Sequence, residues 1–176
     1  KDNEIKVFRG DEQDVLSRYY YAAKKNKLDI IIRITSDCPL IDPELVDSMI
    51  LSFLSFKGID YLSNTIKRTY PRGLDTEIFT SASLEQAFRF AGSPFEREHV
   101  TPYIYGHKEL FRVSCIENQE NLSNLRWTLD EEKDFELIKE VYKRLYRENE
   151  IFITRDIMKI FEKYPYSSRK GGSARS

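Results

Sequence analysis

Two aspartates stand where open parallel sheets gather their chemistry, just past the ends of predicted strands. Asp37 follows the apolar run at residues 30–34, and Asp130 follows a second predicted strand at residues 125–129. Carboxylates at neighbouring strand ends can share one Mg²⁺, which completes its shell with water and phosphate oxygens. The alternative is that each aspartate only caps the turn or helix that follows. Capping is the weaker interpretation for Asp37, because Asp42 is the better cap for the next helix.

A polar loop at residues 70–77 offers a second set of charged groups. An arginine in this loop could bind a phosphate group, and its carboxylates could bind sugar hydroxyls. A solvated turn is the alternative, and composition alone favours it. The side chains concerned are Arg72, Asp75 and Glu77, which lie beside Gly73.

A charged cluster around Glu98 and His99 is a third candidate. It could form a wall of a substrate pocket or the start of a helix. His99 and His107 have no cysteine neighbours, so their spacing does not favour a zinc site. A lone histidine of this kind more often has a structural role than acts as a base.

Several common catalytic patterns are absent from the sequence. Its glycines are isolated, so neither a G-x-G-x-x-G turn nor a P-loop is present. The G-x-S-x-G pattern of α/β hydrolases is also missing. Cys38 and Cys115 provide neither a disulfide framework nor the spacing of a metal site. The catalytic options therefore depend on carboxylates.

Composition indicates a folded chain without a strong electrostatic partner. The 176 residues include 40% hydrophobic and 13% aromatic residues, enough for a packed core. Lys and Arg number 28 against 29 Asp and Glu, so the net charge of -1 gives no general argument for nucleic acid or an anionic membrane. The longest apolar run is far short of the ~20 residues that cross a bilayer. The sequence therefore predicts a cytoplasmic protein with no nucleic-acid and no membrane partner.

Helical and strand patterns alternate along the chain, which predicts an α/β fold with a mostly parallel sheet flanked by helices. One domain is expected over residues 1–166, followed by a flexible tail at residues 167–176. The predicted strands are residues 28–34, which look buried on both faces, and residues 58–63, 76–79, 111–116 and 125–129. The predicted helices begin after Gly10, Asp42, Ser83 and Asp130, and near Thr154.

Five ordered stretches of the chain resemble a known family. They are similar to the spore-coat polysaccharide-type cytidylyltransferases, relatives of the acylneuraminate and 3-deoxy-manno-octulosonate cytidylyltransferases. The stretches are FRG and DVLSRY within residues 8–19, RITSDCPLIDP at 33–43, SNT and YPRGLDTEIF within 63–79, REHVTPYI at 97–104 and LRWTLD at 125–130.

The resemblance implies a nucleotide-diphospho-sugar transferase-like fold (GT-A or Rossmann-like) and synthesis of an activated sugar. The expected substrates are a nucleoside triphosphate, most readily CTP, and a sugar or sugar phosphate. Asp37 and Asp130 match the two metal-binding aspartates of the family's motifs, so the resemblance implies that they are catalytic and hold the Mg²⁺ cofactor. The sugar pocket would draw on Arg72, Asp75, Glu77, Glu98, His99 and Trp127.

One family feature has no counterpart in this sequence. The basic, glycine-containing loop that cradles the triphosphate is not matched, so an N-terminally incomplete fold is expected. The chain would then be the carboxyl-terminal portion of a longer enzyme or a remnant without turnover. A homodimer is expected, because such relatives commonly dimerise. The alternatives are a non-catalytic sugar- or nucleotide-binding subunit, a guanylyl or other nucleotidyl specificity, and a GT-A-type glycosyltransferase.

Overall fold

The computed structural model describes residues 5–163, and the tail predicted at residues 167–176 lies outside them. Within that range the chain contains both helices and strands, as the sequence predicts, although they do not alternate strictly. None of these helices is long and apolar enough to cross a bilayer. The elements are α1 (Val15–Asn26), β1 (Ile30–Arg33), α2 (Pro43–Ser55), β2 (Tyr61–Ser63), β3 (Glu77–Thr80), α3 (Ser81–Phe90), α4 (Pro94–His99), α5 (Pro102–Gly106), β4 (Val113–Cys115), α6 (Glu132–Leu145) and α7 (Thr154–Lys163).

Four strands form one sheet, flanked by helices, in the order β1–β3–β2–β4. This confirms the mixed α/β class. The prediction that the first strand is buried on both faces is wrong. β1 is an edge strand, and Ile30, Ile32 and Ile34 are 37%, 42% and 38% exposed while Ile31 is buried. Alternation along the strand places the three exposed isoleucines on one face.

The prediction of a strand at residues 125–129 is also wrong. This segment makes only an isolated parallel bridge between Arg72 and Arg126. The Arg72 N–H donates to the Leu125 carbonyl at 3.0 Å, and the Trp127 N–H donates to the Arg72 carbonyl at 2.7 Å. The segment is therefore extended and paired, although too briefly to be a strand.

Two compact units make up the described chain. The first comprises residues 5–32, 56–62 and 78–114 and contains α1, α3, α4 and α5. Its apolar core is a continuous cluster in which helix residues pack with aromatic residues. Its buried side chains include Leu16, Tyr61, Phe79, Leu84, Tyr103, Ile104 and Phe111.

The second unit comprises residues 33–55, 63–77 and 115–163 and contains α2, α6 and α7. Its interior includes Met49, Leu74, Trp127 and Ile157, each at most 1% exposed. Leu74 and Trp127 belong to the segments that hold the candidate residues, so their burial anchors those segments in the interior of the unit.

Side chains cap the starts of several helices, and two of the helices start at other residues than the sequence predicts. Asp14 caps α1, and the Oδ1 of Asp42 accepts the Glu44 and Leu45 N–H groups at the start of α2. However, α3 is capped by Thr80 rather than Ser83, and the cap position of α6 is Glu131 rather than Asp130. Each shift moves the start of a helix by one or more residues. The second leaves Asp130 outside the helix.

Candidate active site

A backbone hydrogen bond joins the segments that carry the two candidate metal ligands. Asp37 lies in the turn after β1, and its carbonyl accepts the Leu129 N–H at 2.8 Å. Asp130 is the next residue along the chain. The structure thus brings together the Asp37 and Asp130 segments, although the second does not follow a true strand. The Asp37 side chain is half-buried, and Asp130 is exposed.

An arginine and a further aspartate organise the Asp130 turn. The guanidinium of Arg126 donates to the carboxylate of Asp130 and, at 3.4 Å, to that of Asp134. Asp134 is buried, and its Oδ2 also accepts the N–H groups of Asp130 and Glu131 at 3.1 and 3.0 Å. Asp134 is not among the residues predicted from the sequence. An acidic residue in the first turn of α6, where a capping box places one, is the signal that could have identified it.

The two carboxylates near this turn are of the chemical type that binds Mg²⁺. Magnesium is bound through one or two carboxylates and keeps several waters, and Asp37 and Asp130 supply two carboxylates on bonded segments. Residues 5–163 contain no group of three or more His, Cys, Asp and Glu side chains arranged to hold a metal. A cation here would therefore depend on water and substrate oxygens for its remaining ligands. It would also compete with Arg126 for the Asp130 carboxylate.

The loop that follows β2 contains an ion pair that the sequence analysis did not identify. The Arg68 guanidinium donates to both oxygens of Asp75, at 2.6 and 2.8 Å. These hydrogen bonds to Asp75 raise the pKa of Arg68. The two side chains are 19% and 31% exposed, so the pair is partly shielded from water. The ion pair with Arg68 therefore holds the Asp75 carboxylate in position, and the carboxylate is not freely solvated.

Cys38 is buried directly after Asp37 in the chain, and the charges of both Asp37 and Asp75 affect its pKa. Burial raises the pKa of the Cys38 thiol, and the negative charges of Asp37 and Asp75 raise it further. A hydrogen bond from Thr35, whose Oγ1 lies 3.3 Å from the Cys38 sulfur, and one from the Asp75 N–H act in the opposite direction. The pKa of the cysteine that directly follows Asp37 is therefore affected by the charge of Asp75.

The conformation of this loop depends on a buried amide and a glycine. Asn64 is 1% exposed, its Nδ2 donates to the Leu74 carbonyl at 2.7 Å, and its Oδ1 accepts the Thr76 N–H at 3.0 Å. Gly73 has a φ of +102°, and a Cβ there would lie 2.7 Å from the backbone carbon of Trp127. The Asn64 bonds fix the loop internally, and the glycine allows the loop to approach the segment that leads to Asp130.

The remaining predicted contacts in this unit differ in accessibility. Arg72 is exposed. Glu77 is buried and forms an ion pair with Arg33, with side chains 9% and 16% exposed. Trp127 is 1% exposed, and its ring centroid lies 6.2 Å from that of Phe161 in α7. Glu77 and Trp127 therefore lie in the interior of the unit, behind the more accessible Arg72 and Asp75.

Glu98 and His99 belong to the first unit, where they form the last turn of α4 rather than the start of a helix. Both are exposed, and the His99 ring meets Phe95 edge-on with 4.5 Å between ring centroids. Glu98 lines an open cavity of about 790 Å³ together with Asp11, Gln13 and other polar groups. These two residues therefore face solvent at the end of a short helix.

A strained turn ends this short helix. Val100 has φ 73° and ψ -54°, and the Thr101 N–H donates to the His99 carbonyl at 2.9 Å. This combination is a classic γ-turn, which is rare for any residue and strained for a β-branched one. Val100 itself is fully buried in the core of its unit, and that packing holds the turn. The exposed Glu98 and His99 thus precede a rigid corner.

Comparison with known proteins connects this geometry to one family. Residues 3–167 match the family described as Cytidylyltransferase. Two curated relatives are similar in sequence. The uncharacterized protein MJ1063 of Methanocaldococcus jannaschii is 43% identical over 141 residues, which cover 79% of this chain and 56% of that protein. The spore coat polysaccharide biosynthesis protein SpsF of Bacillus subtilis is 36% identical over 143 residues, covering 80% of this chain and 58% of that protein.

A solved structure is similar over nearly the whole chain. It is a cytidylyltransferase from Leptospira borgpetersenii, with a TM-score of 0.88 and 36% sequence identity, covering 99% of this chain and 72% of that one. The present chain spans 56% and 58% of the lengths of the two curated relatives.

Proposed function

The chain belongs to the cytidylyltransferase family, and we propose that it carries out cytidylyl transfer from CTP to a sugar substrate. The observation that carries this proposal is the backbone bond that places Asp37 and Asp130 on adjacent segments. In a family whose reaction acts on a triphosphate, two such carboxylates have an evident use. The likeness to a spore coat polysaccharide biosynthesis protein supports an activated sugar destined for a surface polysaccharide.

The proposed reaction is an in-line displacement at phosphorus. A sugar hydroxyl or phosphate oxygen forms a new bond to the α-phosphorus of CTP, and the bond from that phosphorus to the bridging oxygen breaks. Pyrophosphate leaves with the bonding electron pair, and any hydroxyl proton passes to water. Phosphoryl-transfer reactions of this type need little covalent chemistry from the protein, so alignment and charge stabilisation dominate.

Asp37 and Asp130 are the proposed catalytic residues and Mg²⁺ ligands. A bound Mg²⁺ would supply positive charge to the phosphate oxygens as negative charge builds on them. The chain's own contribution is to present both carboxylates from turns fixed by the Leu129–Asp37 hydrogen bond and by Asp134. Arg126 keeps the Asp130 carboxylate oriented by an ion pair.

The sugar side of the proposal rests first on the loop of residues 70–77. Asp75 is its central member, because Arg68 holds its carboxylate in place and that carboxylate can accept hydrogen bonds from hydroxyl groups. Arg72 is exposed and suits an anionic group of the sugar. Glu77 and Trp127 are assigned to support this pocket from the interior. Glu98 and His99 are the contacts proposed for the first unit.

A second candidate function is binding without turnover. The chain spans little more than half the length of its curated relatives, and Arg126 already occupies the Asp130 carboxylate. On this alternative the chain binds a sugar or nucleotide and takes part in transfer only together with further residues. The two functions differ in a single measurable product, pyrophosphate.

Pyrophosphate release tests the proposal. The protein is mixed with CTP, Mg²⁺ and each sugar of a panel of acidic sugars and sugar phosphates, and release is followed by a coupled assay. The variants are Asp37→Asn and Asp130→Asn, with Asp47→Asn on the exposed surface of α2 as the matched control. We expect loss of at least about 100-fold in rate for the first two, since each removes charge stabilisation from the transition state, and native turnover for the control.

Three outcomes are informative. Sugar-dependent release that needs both aspartates supports transfer. Full Mg²⁺-dependent release by both variants contradicts the metal assignment. Saturable binding of CTP or a sugar with no release by the native protein favours the binding alternative. Repeating the assay with GTP, ATP and UTP tests the base specificity.

A further inference from the structure

We propose that Asn64 is a positioning residue that fixes Asp75 beside the Asp37 segment. Asn64 lies directly after β2, and its side chain is almost entirely buried. It forms hydrogen bonds with the residue before Asp75 and with the residue after it. The proposal rests on the proposed function only where it assigns Asp75 to the sugar.

Both ends of the Asn64 side-chain amide form hydrogen bonds, the nitrogen as a donor and the oxygen as an acceptor. Its Nδ2 donates to the Leu74 carbonyl at 2.7 Å and its Oδ1 accepts the Thr76 N–H at 3.0 Å. The backbone N–H of Asn64 also donates to the Thr76 carbonyl at 3.4 Å. An amide both donates and accepts, which neither a carboxylate nor an aliphatic side chain of the same size does. Asparagine is therefore specifically suited to this position.

These two hydrogen bonds from Asn64 form a clamp on the backbone of residues 74–76. They leave the Asp75 side chain free to point away from this clamp. Its carboxylate meets Arg68 in two parallel hydrogen bonds, a geometry that fixes direction as well as distance. Arg72 in the same loop pairs through its backbone with Leu125 and Trp127. The Leu129 N–H, two residues further on, donates to the Asp37 carbonyl, so backbone hydrogen bonds link the loop to the Asp37 segment. A shift of the 74–76 backbone would therefore move Asp75 relative to Asp37 and to Arg68 together.

Loss of the Asn64 bonds has a cost beyond the bonds themselves. Leu74 and Asn64 are buried, so loss of the Asn64 donor leaves the Leu74 carbonyl with only the long 3.5 Å hydrogen bond from the Thr76 hydroxyl and no water to replace the lost donor. Aspartate at this position keeps an acceptor for the Thr76 N–H and places a second acceptor against the Leu74 carbonyl. The replacement is nearly isosteric and removes the donor, which makes it the sharpest probe.

The test compares Asn64→Asp with Asn121→Asp in the full chain. Asn121 is exposed, and its Oδ1 accepts the Ser123 N–H at 3.1 Å, an interaction that a carboxylate keeps. Hydrogen exchange at pH 8, followed by mass spectrometry, reports the protection of residues 74–77. We expect exchange there to speed up about tenfold in Asn64→Asp, the scale of one buried hydrogen bond, with no change in Asn121→Asp.

Acid pH provides a rescue that a simple packing defect would not show. Burial beside a carbonyl raises the pKa of the introduced carboxyl group, and its protonated form can donate to the Leu74 carbonyl. The exchange ratio of Asn64→Asp to the native chain should therefore fall towards one at pH 5. Equal acceleration throughout the chain, or an unchanged rate at residues 74–77, would overturn the clamp. If Asn64→Asp does not fold, Asn64→Ser reports the same segment at pH 8 with a neutral side chain.

A kinetic cycle tests whether the clamp acts through Asp75. The KM for whichever panel sugar supports pyrophosphate release is measured in Asn64→Ser, Asp75→Asn and the double variant. Each single variant should raise that KM about tenfold, with a smaller change in kcat, and the double variant should be little worse than Asp75→Asn alone. Fully additive losses would overturn the assigned route. Absence of turnover in the native chain would instead count against the proposed function, while the exchange result still decides the clamp.

Discussion

Two regions of the molecule carry acidic residues predicted to meet the sugar, and they are built in opposite ways. In the loop of residues 64–77, Asp75 is paired with Arg68, and Glu77 is buried against Arg33. At the end of α4, Glu98 and His99 are exposed, and only the turn that follows them is strained. The loop therefore uses its charges for structure, whereas α4 presents its charges to solvent.

This contrast shows that residue type alone does not define a binding residue. A carboxylate whose oxygens are already engaged by a guanidinium contributes to stability first and to ligand contact only through exchange of partners. An exposed carboxylate contributes little to stability and is available to a ligand. Replacing each acidic residue by its amide measures how far the contrast extends.

The largest effect on stability is expected from Gly73, at the tightest point of the loop. Gly73→Ala places a Cβ 2.7 Å from the Trp127 backbone carbon, in a residue whose φ is +102°. We expect a loss of about 3 kcal/mol in the free energy of unfolding, measured by urea denaturation. Gly92→Ala is the control, because nothing lies within 4 Å of its added Cβ. Equal losses in both variants would contradict the close approach to Trp127.

The next effect is expected from Glu77, the more deeply buried carboxylate. Glu77→Gln leaves the Arg33 guanidinium with a neutral partner at a site where the side chains are 9% and 16% exposed. Removing one charge from a buried pair typically costs about 3 kcal/mol, and we expect a loss towards that value by urea denaturation. A loss below about 0.5 kcal/mol, the range of ordinary surface substitutions, would place Glu77 with the ligand contacts instead.

Asp75 should give a smaller loss of stability and a larger effect on the sugar. Asp75→Asn weakens the pair with Arg68, whose side chain is 19% exposed, and about 1 kcal/mol of stability is expected to be lost. The same unfolding experiment, combined with the KM for the sugar, separates the two roles. A stability loss with an unchanged KM would make Asp75 a structural residue only.

Glu98 should be close to neutral in stability. Glu98→Gln changes an exposed side chain, so the urea midpoint is expected to move by less than the equivalent of about 0.5 kcal/mol. An effect on the sugar KM without an effect on unfolding would confirm that α4 presents a ligand contact. A loss of stability as large as that of Asp75→Asn would remove the contrast between the two regions.

Acid pH should loosen the α4 region by a small and specific effect. Hydrogen bonds from the backbone of Ser93 lower the pKa of Glu96, with further contributions from the Ser93 hydroxyl and the Gly92 N–H, against the effect of burial. Because the folded pKa is lowered, this stabilisation is present above the ordinary pKa of 4.5 and is lost as pH falls through the folded value. Exchange of amides 92–100 should therefore accelerate a few-fold in acid relative to neutral pH, after correction for intrinsic rates. Glu96→Gln should show a weaker dependence on pH.

Sequence patterns were sufficient for much of the fold. Apolar periodicity predicted α1, and the cap Asp42 predicted α2, because both signals depend on local chemistry. The strand at residues 125–129 was predicted wrongly, because its pairing depends on Arg72, a residue far away in the chain. The burial of β1 was also predicted wrongly, because an apolar run does not reveal whether a neighbour covers it.

The candidate site was predictable as a set of residue types and not as a network. Asp37 and Asp130 were identified from their positions after apolar runs, and the structure joins their segments. The partners Arg68, Arg126 and Asp134 were not identified, because a charged residue in a loop is indistinguishable from a solvated one until its neighbours are known. Asn64 was noticed only as part of a motif, since its role depends on two backbone groups ten and twelve residues away.

The central claim is that Asp37 and Asp130 share one cation, and Mn²⁺ binding in the presence of CTP tests it most directly. Mn²⁺ can replace Mg²⁺ at oxygen ligands and is counted by electron paramagnetic resonance. We expect one CTP-dependent site in the protein, weakened about tenfold or more by Asp37→Asn and by Asp130→Asn. The double variant should bind little more weakly than either single variant. Native affinity in both single variants would contradict the account.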